Sequence, residues 1–181
     1  MARRWIVTAL GKDRPGIVAG VTKILFELGC NLEDSAMTRL EGEFAVMLIF
    51  SAPARDTEER LRAAFTPLAK RLKLAVHLKP LTQSEARAPR KRGQNYLISV
   101  YGADRPGIVY QVSQALADAG ANIYDVHTHR SAKGGPSLYL LLLEVEAPAR
   151  LSLEGLEQRL KRVGQRLRVE VSVRPADAQV L

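Results

Sequence analysis

Gly11-Lys12-Asp13-Arg14-Pro15-Gly16-Ile17-Val18 returns ninety-one residues later as Gly102-Ala103-Asp104-Arg105-Pro106-Gly107-Ile108-Val109. The likeness runs beyond this stretch. Aligning residues 4–40 with 95–131 gives 13 identities in 37 positions, and Val21, Leu25, Gly29, Asn31, Asp34 and Arg39 recur as Val112, Leu116, Gly120, Asn122, Asp125 and Arg130. Two copies are too few for a solenoid, so a duplicated domain is the simpler reading.

Working outward from the repeated stretch, each copy follows one pattern. Trp5 to Leu10 and Tyr96 to Tyr101 read as strands rich in β-branched and aromatic residues. The quoted turn follows. Then Ile17, Val18, Val21, Ile24, Leu25 and Leu28 fall at helical spacing, as do Ile108, Val109, Val112, Leu116 and Ala119. Gly29 and Gly120 stand where a helix C-cap glycine belongs. A strand pair comes next, 31–40 with 43–51 and 122–131 with 137–147. The first pair turns at Glu41-Gly42, and the second has the longer loop Lys133 to Pro136. A second helix carries Leu61, Phe65, Leu68 and Leu72, matched by Leu153, Leu156, Leu160 and Val163. A last strand runs through Leu74, Val76 and Leu78, matched by Val169, Val171 and Val173.

The order β-α-β-β-α-β, written twice, predicts an α+β protein of two ferredoxin-like units. Each has a four-stranded antiparallel sheet with two helices on one face. The expected boundaries are a first domain over 1–80, a polar basic linker over 81–94, a second domain over 95–175 and a tail over 176–181. Since the helices cover one sheet face, the other is expected to be covered by the second copy or a second chain.

Composition narrows the function classes. The chain has 181 residues, 46% hydrophobic and 25% charged, with one cysteine, so no internal disulfide is possible. The apolar runs Phe44 to Phe50 and Leu138 to Leu143 are far below the ~20 residues of a membrane span. The opening Met-Ala-Arg-Arg-Trp lacks the apolar core of a signal peptide, which predicts a cytoplasmic protein. Net charge is +8, and residues 81–95 hold four basic residues against one acidic. A short run of this kind reads as a solvated linker. RNA-binding sheets of this topology use exposed aromatics and an RNP1 signature, whereas aromatics are 6% of this chain and no such signature appears. Direct nucleic-acid binding is therefore the weaker reading.

The repeated turn offers the clearest chemistry. Proline suits a first helical position because its missing N–H would have no partner there. Glycine leaves the backbone open to close approach. The free first-turn N–H groups and the helix dipole favour an anion such as a carboxylate. Asn31 and Asn122 open the second strand, at the far end of the unit, so a neighbouring unit would have to bring one of them to the turn. Their amides both donate and accept, which suits an amino acid. The same residues also make a good helix start with nothing bound. The two sites need not be equal, because Tyr110 and Tyr124 replace Ala19 and Glu33.

Other candidates carry less. His127 and His129 share a strand face, but the first copy has Ala36 and Thr38 there, and no ligand set of known metal spacing completes them. Cys30 becomes Ala121 in the second copy, so it reads as a small packed residue. Asp34, Asp125, Arg39 and Arg130 recur in the second strand of each copy; they read as ligand or interface groups or, more simply, as members of weak surface ion pairs. No Walker loop, dinucleotide fingerprint or nucleophile elbow is present, and no acid/base or nucleophile set recurs. No enzyme activity and no cofactor are expected.

Asp-Arg-Pro-Gly-Ile-Val before a helix, then Gly-x-Asn, resembles the ACT domain family, and the resemblance covers both halves. It implies a regulatory protein that binds a small amino acid. The implied contacts are Asp13, Arg14, Pro15, Gly16 and Ile17 with Asn31, and Asp104, Arg105, Pro106, Gly107 and Ile108 with Asn122. As a tandem of two such units the chain is similar to the glycine cleavage system transcriptional repressor group. That likeness implies action through a protein partner such as a transcription factor. A homodimer is expected separately, from the exposed sheet faces and edges. The competing readings are a direct nucleic-acid binder and a regulatory subunit of an amino-acid biosynthetic enzyme.

Overall fold

Alternation along the central strands decides which way each sheet faces. In β1 (Arg3–Lys12), Trp5, Val7 and Ala9 are buried while their neighbours point outward. In β3 (Glu43–Ala52), Phe44, Val46, Leu48 and Phe50 are buried, and the register sets Trp5 opposite Phe50 and Val7 opposite Leu48. Both buried rows therefore share one face. Two helices cover it: α1 (Ile17–Glu27) through Ile17, Val21 and Leu25, and α2 (Glu58–Leu72) through Leu61, Phe65 and Leu68. Each such side chain contributes about 1.5–3 kcal/mol by leaving water. β2 (Asn31–Leu40) and β4 (Ala75–Leu81) complete an antiparallel sheet of order β2-β3-β1-β4.

The second unit repeats the plan with β5 (Gly93–Ala103), α3 (Ile108–Asp118), β6 (Asn122–Ser131), β7 (Leu138–Pro148), α4 (Leu153–Leu167) and β8 (Val169–Pro175), in sheet order β6-β7-β5-β8. Its core gathers Tyr96, Ile98, Val100, Leu116, Leu141, Leu143, Leu156 and Leu160. This is the expected pair of ferredoxin-like βαββαβ units. The computed structural model describes residues 2–54, 56–82, 93–131 and 137–176. The chain divides into Met1–Ala88 and Pro89–Leu181. β4 ends at Leu81 and β5 begins at Gly93, so most of the stretch read as a basic linker lies outside the described residues, as do the loop Lys133 to Pro136 and the last residues of the tail.

Helix ends follow the sequence closely. α1 closes with Gly29 N–H donating to Phe26 O at 2.9 Å and Cys30 N–H to Leu25 O at 2.8 Å. α3 closes identically through Gly120 and Ala121. This Schellman pattern needs a left-handed residue, and Gly29 and Gly120 supply it at φ 68° and 74°. α2 and α4 start on hydroxyl caps: Thr57 Oγ1 accepts from Arg60 N–H at 3.3 Å and Ser152 Oγ from Gly155 N–H at 3.1 Å. The Glu41-Gly42 turn joins β2 to β3 with positive φ at both residues, the signature of a type I′ hairpin.

On the face away from the helices, Leu10 and Met47 are half exposed, and Leu97, Tyr101, Leu138 and Leu142 are exposed in the second unit. β2 is an edge strand whose ten residues are all exposed.

One buried charge departs from the apolar pattern. Asp56, just before α2, has no exposed surface, and Arg60 meets it at 2.7 Å while remaining half exposed. The equivalent residue before α4 is Leu151, since the Asp56 N–H to Pro53 O bond recurs as Leu151 N–H to Pro148 O. Removing one partner of a buried pair leaves a stranded charge. Arg60→Ala should therefore lower unfolding free energy by about 2 kcal/mol, less than for a fully buried pair because Arg60 is half solvated. Asp56→Leu should be neutral or stabilising; urea unfolding of the two variants checks both.

Candidate functional site

The turn is built by backbone conformation. Gly16 has φ 92° and ψ −1°, and Gly107 has φ 92° and ψ 0°. These are the angles of the third residue of a type II turn, whose second place suits proline. Pro15 and Pro106 therefore occupy the turn, and Ile17 and Ile108 are the first helical residues. This corrects the expectation of proline as the first helical residue: a left-handed glycine stands between. A Cβ at Gly16 would meet nothing within 4 Å, and one at Gly107 only Gln111 Nε2 at 3.7 Å. Positive φ selects glycine here, and no neighbouring protein atom does.

Glycine as N-cap leaves the helix start without a side-chain cap, and neither first turn holds an acidic residue. Gly16 O accepts from Gly20 N–H and Gly107 O from Gln111 N–H, each at 2.9 Å. The N–H groups of Ile17, Val18 and Ala19 precede the first intrahelical bond, and the helix dipole leaves partial positive charge there. Pro15, Arg14, Pro106 and Arg105 are exposed. The side chains of Ile17 and Ile108 are buried in the cores, so they anchor the helices and only their backbone faces the turn.

Asp13 and Asp104 tie the turn down. Asp13 N–H donates to Gly42 O at 2.9 Å, and its carboxylate meets Arg39 at 3.2 Å. Asp104 N–H donates to Ser137 O at 2.8 Å, and its carboxylate meets Arg130 Nε at 2.9 Å. Each unit thus clasps its turn to the loop end of its edge strand. Arg39 does not pair with Asp34 of its own strand. Five residues apart on one strand, they point to opposite faces. Asp34 instead accepts from Ser35 N–H at 2.8 Å, and Asp125 from Val126 N–H at 2.9 Å, each just after a β-bulge.

Asn31 and Asn122 lie far from the turn of their own unit. Asn31 stands opposite Ser51, which pairs with Arg4, whereas the turn end pairs Gly11 with Phe44. Seven residues of strand, about 23 Å, separate the two ends. Asn122, Glu146 and Asn95 stand equally far from Gly102. Within a unit the structure brings together Asp13 to Ile17, or Asp104 to Ile108, but not the asparagine. In the second unit an open groove of about 620 Å³ beside β8 reaches Gly102, the first residue of the repeated stretch, and one of about 650 Å³ lies between α3 and α4.

With this geometry in place, comparison is informative. The ACT domain model matches residues 3–79 and 94–174. The chain belongs to the ACT domain family. One relative, a UPF0237 protein of Streptococcus mutans, is 36% identical over 73 residues, 40% of this chain and 83% of that protein. The glycine cleavage system transcriptional repressor of Escherichia coli is 46% identical over 46 residues, 25% of this chain and 24% of that protein. Among solved structures, an unknown protein from Galdieria sulphuraria superposes with a TM-score of 0.81 at 26% identity, over 97% of this chain and 99% of that one.

The remaining candidates settle around these ACT units. His127 meets Asp125 at 3.0 Å, and no metal-binding group of His, Cys, Asp and Glu forms among the described residues. No helix among them is long and apolar enough to cross a membrane. Cys30 packs against the first core. Burial pushes its thiol above its ordinary value, Asp56 adds to the rise and Arg60 opposes it. The sequence reading missed the clasp, although the recurring Asp and Arg were visible, because nothing local joins residues 26 apart.

Two measurements probe this geometry. Gly16→Ala or Gly107→Ala should each cost about 1–2 kcal/mol in thermal unfolding, the strain of a left-handed non-glycine residue. At pH 8, Cys30 should alkylate more slowly than a free cysteine peptide. Asp56→Asn should speed it, since removing the carboxylate lowers the thiol pKa and raises the thiolate fraction.

Proposed function

We propose that this tandem ACT protein is an amino-acid-responsive regulator that acts on a protein partner, modulating transcription as a glycine cleavage repressor does. The observation that carries the reading is the same uncapped, glycine-started helix in both units. The ligand carboxylate would take the N–H groups of Ile17 to Ala19, or of Ile108 to Tyr110. The exposed edge strand β2 supports a homodimer: antiparallel pairing of two copies along it would carry Asn31 of one copy to the turn end of the other. That supplies an amide for the ligand's ammonium and carboxylate. The Asp13–Arg39 clasp joins turn to edge strand, so binding and pairing would be linked. Coupling of this kind is typically about 1–3 kcal/mol.

Thermal unfolding in the presence of each of the twenty amino acids tests the reading. One or a few are expected to raise the midpoint at millimolar concentration, since ligand at about 100 times Kd adds about 2.7 kcal/mol. The same ligand should shift the sedimentation coefficient toward the dimer. A midpoint unmoved by all twenty would overturn amino-acid sensing.

A further inference from the structure

The duplication has not kept its helix faces alike. In the first unit the groove between α1 and α2 is lined by Ala64, Pro67 and Arg71, with Lys23 paired to Glu27 at 3.6 Å. The second unit places Arg159, Arg162 and Arg166 at the corresponding positions of α4, beside an open groove of about 650 Å³ between α3 and α4. Two apolar positions of one copy have become arginines in the other. The three arginines lie at i, i+3 and i+7, on one face of the helix. All three are exposed, and none makes an ion pair among the described residues. Asp118, the carboxylate of this groove, accepts from Gln114 at 2.9 Å instead. Beside the arginines the groove is lined by Ala115, Gly155 and the buried Val163, with Gln158 and Gln165.

We propose that this α3–α4 face docks an acidic amphipathic helix of a protein partner. Small residues between two packed helices leave a trough into which one more helix can settle its apolar ridge. Arg159 to Arg166 span about 10.5 Å of helix axis, the same rise as carboxylates at i, i+3 and i+7 of a docked helix. Guanidinium groups pair with carboxylates in bidentate fashion, and three unpaired ones favour an acidic occupant. A nucleic-acid duplex offers phosphates on a broad convex surface that does not enter a trough between helices. The inference rests on the proposed action through a protein partner, and it is independent of amino-acid binding.

The test uses the full chain and a labelled synthetic helical peptide with Glu at i, i+3 and i+7 and Leu on the adjoining face, read by fluorescence anisotropy. R159E/R162E/R166E should weaken binding by about tenfold or more, and a scrambled peptide of equal charge should bind about tenfold more weakly. K23E/R71E, on the matching face of the first unit, should leave binding unchanged. Should the triple variant be misfolded by circular dichroism, R159Q/R162Q/R166Q replaces it, with the same loss expected. Equal binding by either triple variant, or by the scrambled peptide, overturns the proposal. So does random-sequence duplex DNA that displaces the peptide and itself loses affinity in the triple variant, because the face then binds nucleic acid. The triple variant should keep any amino-acid-induced midpoint shift, so failure here and failure of sensing are read separately.

Discussion

A glycine held at positive φ where a strand becomes a helix is the constraint on which each unit depends. Gly16 and Gly107 share φ to the degree. That conformation fixes the type II turn, sets where α1 and α3 begin and leaves those helices with no side chain able to cap them. α2 and α4 carry hydroxyl caps in the same chain. Two of the four helices thus start on a side-chain cap and two on a bare glycine.

The turn is also held from outside. Asp13 and Asp104 use both backbone and carboxylate to grip the β2–β3 and β6–β7 loop ends. Exposed ion pairs of this kind add about 0.2–1 kcal/mol to stability, so their repetition is better explained by geometry than by strength. They keep the carboxylate on the arginine and fix the turn against an edge strand that runs the length of the sheet.

Around this shared frame the two units have diverged. The first buries Asp56 against Arg60 beside Cys30, where the second has Leu151 and Ala121. The second unit gathers arginines on α4 where the first has Ala64 and Pro67. Tyr110 stands exposed next to the second turn, against Ala19 in the first. Both buried and exposed positions have changed, whereas the positive-φ glycines and the Asp–Arg clasp are kept.

Element order, the helix stops at Gly29 and Gly120, the Glu41-Gly42 hairpin and the two cores are all legible in the residues alone. Each of these follows from local periodicity or from a residue whose backbone preference is strong. Local signals misplaced Pro15 by assigning it to the helix, because a proline before glycine suits either a helix start or a type II turn. Packing between distant segments alone decided that Arg39 reaches Asp13 and that Asp56 is buried. Those facts depend on strand register and on which face a side chain takes, and both are fixed by pairing between segments distant in the chain.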